Sequence, residues 1–599
     1  MMIQSKNILL YIILLVASVN LWCETRYVSK AGGSSAPPYT TWETACDSLQ
    51  KCFDFCVSGD TIYVDRGIYR ETIYIQDKDL TIIGVDTDEC ILDGTGIDGK
   101  INKFILFYSD SCNVDINNLT LKKRKNEESI SYYALFIHEG NCKINDCIID
   151  STRSGIGMFK GCNISNLIIK NACWGLRIGT VQDNLLYKIQ NSIFFIKSNE
   201  SGPQCIYNSS GGGEFNITNN IFITDAAPLA FQSIELRSNQ KVIISNNLFY
   251  GLCNAIRALS LQGGLKDTTY IYNNTIIGSP YGIETGNIVK HFKIKNNIFA
   301  HCYCGVFSYG NQGDVDYNMF YDNTGVTYIN IPPGMHDITA DPMFVKDTIV
   351  RPFGTYDFRL QKYSPAIDRG DPNILDIDGS RSDLGMFGGP LGEKYIYMDL
   401  APKPVKGLKA VYEQDTNRVK LTWNKNTEYD FKQYNVYKDI TANFTIDSTK
   451  RIAITTEPIF YDTLNKGILK VYYKITAIDS TENESITGTE VNVTINANEE
   501  VTIIENMEYV LYQNYPNPFN PNTTISYSLK EQGEVRIKLY TITGELIKTI
   551  IEGTKSKGYN ETNIDLSGYT SGIYLYRIEV TGNGKIPVFN DLKKMVLLK

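Results

Sequence analysis

The chain has 599 residues, of which 43% are hydrophobic and 21% are charged, as in a globular protein too long for one domain. Its formal net charge of −8 leaves no basic stripe for holding phosphates, which argues against nucleic acid as a partner. Only four histidines occur, so a histidine-based metal site or catalytic triad is not favoured.

An apolar segment, Ile8–Ala17, follows Lys6 at the N-terminus. It is too short to span a bilayer, and with the preceding positive charge it predicts a secretory signal peptide over residues 1–23. No second apolar run of spanning length follows, so we expect an exported protein without a transmembrane segment after signal removal.

All fourteen cysteines lie within the first 304 residues. Export permits disulfides, for example among Cys46, Cys52 and Cys56. Buried thiols stacked in a core are the alternative, and we favour it for Cys147, Cys162 and Cys205. No paired Cys-x-x-Cys units are present, so no zinc site is predicted.

One short phrase recurs along the first half of the chain: an apolar residue, any residue, Asn, any residue, then an apolar residue or Thr. Successive copies begin 20 to 28 residues apart, which is the spacing of a solenoid. The clear copies begin at Ile164, Ile189, Ile217, Ile244, Ile271 and Ile294, and degenerate copies at Ile116, Ile144 and Val315.

Each repeat contains short alternating runs of β-branched and aromatic residues separated by turn residues. Three short strands with their turns fill one repeat, which predicts a right-handed parallel β-helix. The Asn at the third position favours the left-handed backbone that a bend between strands requires. We therefore assign a structural role to this column: Asn166, Asn191, Asn219, Asn246, Asn273 and Asn296.

A strand follows each Asn phrase and contains three successive positions: Gly or Ala, then an apolar residue, then a variable residue. The variable residues form a second column. Strand alternation points the variable side chains outward, so neighbouring repeats should align them in one vertical row. Phe136 and Gly157 extend the series. We predict that the row binds substrate through its arginines and aromatic rings, with a solvated sheet face as the alternative. The predicted binding residues are Arg177, Tyr207, Gln232, Arg257, Glu284 and Phe307.

Residues 26–86 combine RYVSKAGG, an amphipathic stretch over 42–56 and GDTIYVDRGIYRETIYI. Together with DITADPMF and DIDGSRSDLGMFGG within 337–389, they resemble the ends of bacterial β-helix proteins of the pectate-lyase-like superfamily. The resemblance implies a β-helix over residues 24–392 with an N-terminal capping helix. Because that superfamily includes lyases, hydrolases, epimerases and adhesins, it implies no single activity.

β-Elimination of a uronate polymer needs a base and a group that neutralises the carboxylate, often calcium in related lyases. The candidate bases are Lys160, Arg153, Arg177 and Arg257, and the nearest acids are Asp146, Asp150 and Asp225. Calcium is the one cofactor that the sequence suggests, and no lyase signature assigns a catalytic residue. Hydrolysis would need paired carboxylates, and only Glu284 lies in the predicted row. Turn formation is favoured for the acids of DIDGSRSD, Asp376, Asp378 and Asp383.

Residues 405–496 read as about seven alternating strands, with Trp423, Tyr434, Tyr437 and Tyr473 as core candidates. The segments LTW, YNVYK and YYKITAID resemble a fibronectin type III domain. The resemblance implies a β-sandwich domain that acts as a spacer.

Residues 508–599 contain LYQNYPNPFNPNTTISYSL, then TITGELIKTI, and LSGYTSGIYLYRIEV. These motifs resemble the C-terminal sorting domain of the type IX secretion system. The resemblance implies a second β-sandwich, contact with the type IX machinery, and export through the periplasm to the outer-membrane surface or the medium.

The sequence thus predicts an all-β exported protein that binds an extracellular polysaccharide, and an acidic glycan is the ligand class that we expect. If the protein is an enzyme, the sequence favours lyase-type β-elimination over hydrolysis. A non-catalytic adhesin or structural β-helix protein is the alternative. Whether the chain is catalytic is left open by the sequence.

Overall fold

A computed structural model divides the chain into two compact units, residues 1–339 with 368–394 and residues 340–367 with 395–599. The predicted signal peptide, except Cys23, lies outside the described residues. The structure describes residues 23–31, 34–95, 97, 105–122, 133–181, 185–196, 203–224, 232–237, 240–251, 254–259, 268–286, 291–309, 313–346, 356–465, 470–495, 509–582 and 587–598.

In its described residues, the first unit consists of short strands and one helix, α1 (Leu49–Phe55). Its first strands are β1 (Thr25–Val28), β2 (Thr61–Val64), β3 (Gly67–Tyr69), β4 (Ile73–Gln76), β5 (Leu80–Gly84), β6 (Cys90–Asp93), β7 (Ile105–Asp110), β8 (Val114–Asn117), β9 (Thr120–Lys122), β10 (Tyr133–Ile137), β11 (Cys142–Asn145), β12 (Ile148–Asp150), β13 (Ser154–Met158), β14 (Cys162–Ser165), β15 (Ile168–Ala172), β16 (Trp174–Val181), β17 (Leu186–Gln190) and β18 (Ile193–Ile196).

The same pattern continues to the end of the unit. The later strands are β19 (Gln204–Gly211), β20 (Glu214–Thr218), β21 (Ile221–Thr224), β22 (Gln232–Arg237), β23 (Val242–Ser245), β24 (Leu248–Tyr250), β25 (Asn254–Leu259), β26 (Thr269–Tyr272), β27 (Thr275–Ile277), β28 (Tyr281–Thr285), β29 (Phe292–Lys295), β30 (Ile298–Ala300), β31 (Cys304–Ser308), β32 (Asp314–Asp316), β33 (Met319–Tyr321), β34 (Tyr328–Ile329) and β35 (Ile338–Thr339).

These strands form three long parallel sheets, and each turn of the coil adds one strand to each sheet. Sheet I has the order β1-β2-β5-β8-β11-β14-β17-β20-β23-β26-β29-β32. Sheet II has the order β4-β7-β10-β13-β16-β19-β22-β25-β28-β31-β34. Sheet III has the order β3-β6-β9-β12-β15-β18-β21-β24-β27-β30-β33-β35. The predicted parallel β-helix is confirmed, because strands of successive turns pair side by side throughout the described part of the unit.

The helix α1 covers the N-terminal end of the core. Phe53 is 2% exposed, and its ring centroid lies 6.3 Å from that of Phe107. Ser48 Oγ accepts a hydrogen bond from Lys51 N, and the Glu71 carboxylate accepts one from Leu49 N. The helix is shorter than the predicted amphipathic stretch over 42–56, since the chain before Ser48 forms turns instead.

Identical positions of successive repeats stack into columns inside the coil. Phe222 lies between Phe194 and Phe249, with ring centroids 5.0 Å and 4.9 Å away and nearly parallel planes. The first residue of each Asn phrase is fully buried, as Ile217 and Ile244 show. Each repeat therefore extends one continuous hydrophobic core rather than forming its own.

The third-position Asn residues adopt the left-handed backbone, with φ between +51° and +60° from Asn166 to Asn296. This confirms the prediction that the bend selects them. Their side chains have a further role, because Asn246 Nδ2 donates to Gly388 O at 2.6 Å and Asn273 Nδ2 donates to Asp383 O at 2.9 Å. The column thus fixes the returning segment 368–394 against the coil.

A buried amide ladder is formed by the residues that follow Asn219, Asn246, Asn273 and Asn296, together with Asn318, which follows Tyr317 at the same bend. Its members are Asn220, Asn247, Asn274, Asn297 and Asn318, each 0% exposed. In each of the four steps, Nδ2 donates to Oδ1 of the next Asn at 3.0 Å. The same Oδ1 atoms accept backbone N–H groups at 2.9 to 3.1 Å. The ladder therefore satisfies polar groups of the bend that burial would otherwise leave unpaired.

The second unit contains antiparallel sheets and one 3₁₀ turn, Gln414–Thr416. Its strands are β36 (Phe344–Lys346), β37 (Asp357–Leu360), β38 (Lys409–Glu413), β39 (Arg418–Thr422), β40 (Phe431–Asp439), β41 (Arg451–Thr455), β42 (Ile459–Thr463), β43 (Lys470–Asp479), β44 (Val491–Thr494), β45 (Val510–Leu511), β46 (Asn522–Leu529), β47 (Gly533–Thr541), β48 (Leu546–Lys555), β49 (Gly558–Asp565), β50 (Gly572–Thr581) and β51 (Pro587–Leu597).

Two β-sandwich folds follow from these pairings. Sheets β38-β39-β42 and β41-β40-β43-β44 enclose the first core, which contains three of the four predicted aromatic residues, Trp423, Tyr434 and Tyr473. Tyr437 is buried outside this core, where its hydroxyl donates to Glu484 Oε1 at 2.6 Å, because it is adjacent to the core residue Val436 and strand alternation turns it to the other face of β40. Sheets β45-β46-β49 and β48-β47-β50-β51 enclose the second core. There, the backbone N of Asn514 donates to the hydroxyl of Tyr576 at 2.8 Å, which fixes the start of the NYPNPFN segment.

We expect the substitution Asn274→Ala to destabilise the first unit by about 3 kcal/mol, because it removes the Nδ2 donor of Asn274 and the Oδ1 atom that accepts hydrogen bonds from both the backbone N and Nδ2 of Asn247. Asn163→Ala is the matched control, since Asn163 is exposed on β14 and should cost under about 0.5 kcal/mol. Urea unfolding followed by circular dichroism measures both. Equal midpoints for the two variants would contradict the role of the ladder.

The thirteen described cysteines form no disulfide, and all except Cys23 are buried. Burial raises the pKa of Cys147 and of Cys302 to about 12, which keeps both thiols neutral and unreactive near pH 7. Ellman's reagent should therefore detect the described buried thiols only after denaturation, and should detect Cys23 in the native chain where the predicted signal peptide is retained. If the denatured, unreduced chain had no reactive thiols, the cysteines would be paired in disulfides and the prediction would be wrong.

Candidate functional site

Sheet II carries one continuous row of residues on its outer surface. Parallel pairing sets each member beside its counterpart one turn away, about 4.8 Å apart. The residue before a member faces the core, as fully buried Leu176 and Ile283 show. This outer row comprises Tyr74, Tyr108, Phe136, Gly157, Arg177, Tyr207, Glu235, Arg257, Glu284, Phe307 and Ile329.

Five of the six predicted binding residues lie in the outer row, and Gln232 does not. Gln232 pairs with Gln204 and Asn254, whereas Glu235 pairs with Tyr207 on one side. The alignment of AFQ with the other repeats was wrong because the core position of this strand is Ile234, which is 0% exposed. Glu235 is the outward neighbour of Ile234 and replaces Gln232 in the row.

Aromatic rings occupy the N-terminal part of the outer row. Tyr108 stacks on Tyr74 at 5.7 Å and on Phe136 at 5.8 Å, with interplanar angles of 20° and 4°. Burial raises the pKa of the Tyr74 and Tyr108 hydroxyls, and the nearby Asp110 raises them further. Phe159 packs edge-on against Phe136 at 5.9 Å and is 37% exposed. The rings together form an apolar, partly exposed strip.

Two glycines create space for these rings. A Cβ atom on Gly157 would lie 2.6 Å from a ring carbon of Phe136, and one on Gly179 would lie 2.1 Å from a ring carbon of Phe159. Both rings therefore lie across backbone that carries no side chain. Beside them is an open cavity of about 180 Å³, lined by Tyr133, Phe136, Met158, Phe159, Arg177, Ile178, Gly179, Tyr207 and Ser209.

Arg177 lies at the edge of this cavity. Its guanidinium carbon is 3.9 Å from the ring centroid of Trp174 and 5.9 Å from that of Tyr207. Arg153 approaches the same Trp174 ring at 5.8 Å. Among the described residues no carboxylate forms an ion pair with Arg177. Stacking fixes its plane while leaving its hydrogen-bonding edge without an acidic partner.

Carboxylates follow Arg177 and Tyr207 along the row. Glu235 is 5% exposed, accepts a hydrogen bond from Gln204 Nε2 at 2.7 Å, and forms an ion pair with Arg237 at 3.0 Å. Glu284 is also 5% exposed. The register places Arg257 between these two acids. The row is thus cationic and aromatic in its N-terminal part and carries buried acids in its C-terminal part.

A second aromatic group ends the row. The Phe307 ring lies 4.5 Å from that of Tyr309 and 5.8 Å from that of Tyr281. Tyr309 is 47% exposed and Tyr303, next to Tyr281, is 52% exposed. These rings lie beyond the acids, so aromatic surface is present at both ends of the row.

The structure adds residues to the site that the repeat pattern did not indicate. Trp174 supports Arg177 but precedes it by three residues, outside the aligned column. His138 lies beside Phe159 at 5.9 Å, and its Nδ1 is 2.9 Å from Asp110 Oδ1. The sequence analysis gave histidines little weight because the chain has only four. Only the tendency of His to bond a nearby carboxylate could have suggested that His138 pairs with Asp110.

The acids considered for calcium do not converge on Arg177. Asp146 Oδ1 accepts from Asn166 Nδ2 at 2.9 Å, and Asp150 Oδ1 accepts from Asn171 Nδ2 at 2.8 Å, both at bends of the coil. Asp225 lies outside the described residues. No group of three acids able to share a cation occurs on the described part of sheet II.

The DIDGSRSD acids accept hydrogen bonds from backbone N–H groups within the returning segment 368–394. Asp376 accepts from Asp383 N, Asp378 accepts from Ser380 N at 3.1 Å, and Asp383 accepts from Asp368 N at 2.9 Å. These contacts agree with the turn interpretation of the sequence.

Sheet I carries a larger open cavity of about 360 Å³, bordered by Asp79, Asn113 and Asn141. Its polar groups bind one another, since Asn113 N donates to Asp79 Oδ1 at 2.7 Å and Asn141 N donates to Asn113 Oδ1 at 2.9 Å. No aromatic ring lines it. We therefore place the candidate site on sheet II, where aromatic and charged groups meet.

Residues 513–587 match the family described as the secretion system C-terminal sorting domain. The second sandwich is thus a sorting domain, and the protein is exported by type IX secretion to the cell surface or the extracellular space. This confirms the localisation predicted from NYPNPFN and the later motifs. Within the described residues, none of the helices has the length and apolar character needed to cross a membrane.

Solved structures provide further likenesses. Pectate lyase Pel9A is 14% identical, covers 61% of this chain and 96% of its own, and has a TM-score of 0.35. Pectin methylesterase is 9% identical, covers 53% of this chain and 94% of its own, with a TM-score of 0.25. A Fn3-like protein from Clostridium thermocellum is 26% identical over 17% of this chain and 100% of its own, with a TM-score of 0.14. No curated protein matches the chain.

Proposed function

We propose that the outer row binds an extracellular acidic polysaccharide, with Arg177 receiving a sugar carboxylate or sulfate. The observation that carries the proposal is a half-buried arginine without an acidic partner in the described chain, stacked on Trp174 beside an open cavity. Desolvated guanidinium groups are usually paired, and a planar fork fits a carboxylate bidentately.

The aromatic strip supports sugar binding next to that charge. Pyranose rings present apolar C–H faces that pack against aromatic rings. Phe136 and Phe159 border the same cavity as Arg177, and Phe159 is 37% exposed. A carboxylate bound at Arg177 would therefore place its own sugar, or the next one, against an aromatic surface.

The geometry of the coil supports a linear polymer rather than an isolated sugar. Members of the outer row repeat at about 4.8 Å, so an extended chain running along the coil between Tyr74 and Tyr207 would meet one partly exposed side chain after another. Glu235 and Glu284 would repel anionic sugars at the acidic part, which restricts the proposed acidic subsite to the surroundings of Arg177. Export supports an extracellular ligand.

Binding without cleavage is the function that these side chains favour. A lyase must neutralise the carboxylate and remove the α-proton, yet no acid group for calcium lies near Arg177 in the described chain. Trp174 holds the Arg177 guanidinium, and arginine keeps its proton. The stacked arginine is thus better suited to holding an anion than to acting as a base.

Arg177→Ala should weaken binding of uronate oligosaccharides about 10- to 100-fold, the loss expected for charge-assisted hydrogen bonds. Lys188→Ala is the matched control, because Lys188 faces outward on sheet I and carries the same charge. Calorimetry with pectate, alginate and sulfated glycosaminoglycan oligomers, and with a neutral glucan, measures affinity. Equal loss in both variants would contradict the subsite. Ultraviolet absorbance of an unsaturated product would overturn the binding assignment in favour of a lyase.

Gly157→Ala should weaken the same binding about 2- to 10-fold by displacing the Phe136 ring, while the fold remains intact. Gly568→Ala serves as control, since a Cβ atom there meets nothing within 4 Å. Affinity is measured by calorimetry and folding by circular dichroism. Unchanged affinity in the Gly157 variant would exclude the aromatic strip from the site.

A further inference from the structure

Three aspartates converge beside the first sandwich of the second unit. Asp430 immediately precedes β40, Asp479 ends β43, and Asp399 belongs to the segment that leads into the domain. One carboxylate oxygen from each lies within 4.8 Å of the other two. The sequence had suggested calcium only for the β-helix, so this group was not anticipated.

Two of the three aspartates are held by neighbouring donors. Asp479 Oδ1 accepts the backbone N–H groups of Thr481 at 2.9 Å and Asn483 at 2.8 Å. Asp399 Oδ1 accepts from Asn483 Nδ2 at 3.3 Å, and its Oδ2 lies 3.5 Å from Lys362 Nζ. The loop after β43 therefore fixes both carboxylates in position.

Asp430 differs from its neighbours because its carboxylate has no donor from another residue in the described chain. It is 9% exposed, and its position is fixed through its backbone, since Ser480 N donates to Asp430 O at 2.9 Å. Burial, together with the charges of Asp479, Glu428 and Asp399, raises the pKa of Asp430 to about 6. A nearly buried carboxylate directed at two others lacks the positive partner that such groups normally have.

Glu428 is close enough to contribute charge but is already committed to the backbone. Its carboxylate accepts the N–H groups of Lys403 at 2.6 Å and Thr427 at 3.0 Å, and the side-chain amide of Asn426. The charged residues near Asp430 are therefore Asp399, Asp479 and Glu428, with Lys362 on the far side of Asp399. Their net charge is negative.

We propose that Asp399, Asp430 and Asp479 bind one calcium ion. Oxygen ligands alone suit a hard cation, and opposite ligands of Ca²⁺ stand about 5 Å apart, which accommodates the observed separations. Mg²⁺ requires shorter, octahedral contacts and retains more water. The ion would supply the positive partner that Asp430 lacks. This inference is independent of glycan binding by the outer row.

The proposed ion would join three separate segments of the second unit. Asp399 lies before the first strand of the sandwich, whereas Asp430 and Asp479 lie at adjacent ends of the paired strands β40 and β43. A shared cation would tie the lead-in segment to the sandwich. Export brings this site into surroundings where calcium is available at the concentrations that bind weak extracellular modules.

Calorimetric titration of the EDTA-treated full chain with CaCl₂ tests the proposal. The wild type should bind one more equivalent of calcium than Asp430→Asn, and magnesium should bind that site at least about 10-fold more weakly. Asp447→Asn is the matched control: Asp447 belongs to the same domain, is exposed, and bonds Thr449 of its own turn. The control should keep the full stoichiometry. Equal stoichiometry in wild type and Asp430→Asn would overturn the proposal.

Thermal unfolding provides a second measurement. Saturating calcium should raise the melting temperature of the wild type and of Asp447→Asn on the order of 5 °C, and leave Asp430→Asn unchanged. Circular dichroism verifies that each variant is folded; should Asp430→Asn not fold, Asp399→Asn replaces it, since Asp399 is exposed. Absence of calcium binding by the wild type at pH 7.5 would also overturn the proposal.

Discussion

The buried amide ladder is the constraint on which the first unit depends. A coil with three bends in every turn exposes backbone polar groups to its own hydrophobic core at each bend. From Asn220 to Asn318 the ladder satisfies these groups at one of the three bends, because each amide before Asn318 donates to the next and every member also bonds a backbone group. This fixes the register of adjacent turns, and register decides which side chains share an outer row.

The sequence predicted the coil because one physical requirement repeats in every turn. Asn at the bend and an apolar residue two positions earlier recur together, so spacing and residue type predicted the fold, the parallel sheets and seven members of the outer row. The roles of the paired Asn residues were not separable from the sequence. Only three-dimensional packing shows that Asn273 bonds the returning segment while Asn274 bonds the ladder.

Other features escaped prediction because they depend on contacts between turns rather than on alternation within one turn. Trp174 precedes the aligned position, so its support of Arg177 appears only when the side chains are placed. Gln232 was misplaced since its strand has Ile234 at the core position, which leaves Glu235 outward. The aspartates of the second unit come from sites as far apart as Asp399 and Asp479, and no local motif links them.

Comparison of two unpaired charges shows how one argument leads to two different ligands. Arg177 is half-buried, stacked on an aromatic ring and beside a cavity bounded by further rings, so an extended anion with apolar faces fits it. Asp430 is almost enclosed and faces only carboxylates, so a small cation fits it. In each case the protein positions the charge through neighbours that do not neutralise it. That arrangement lowers the cost of organising the site when a partner of opposite charge arrives.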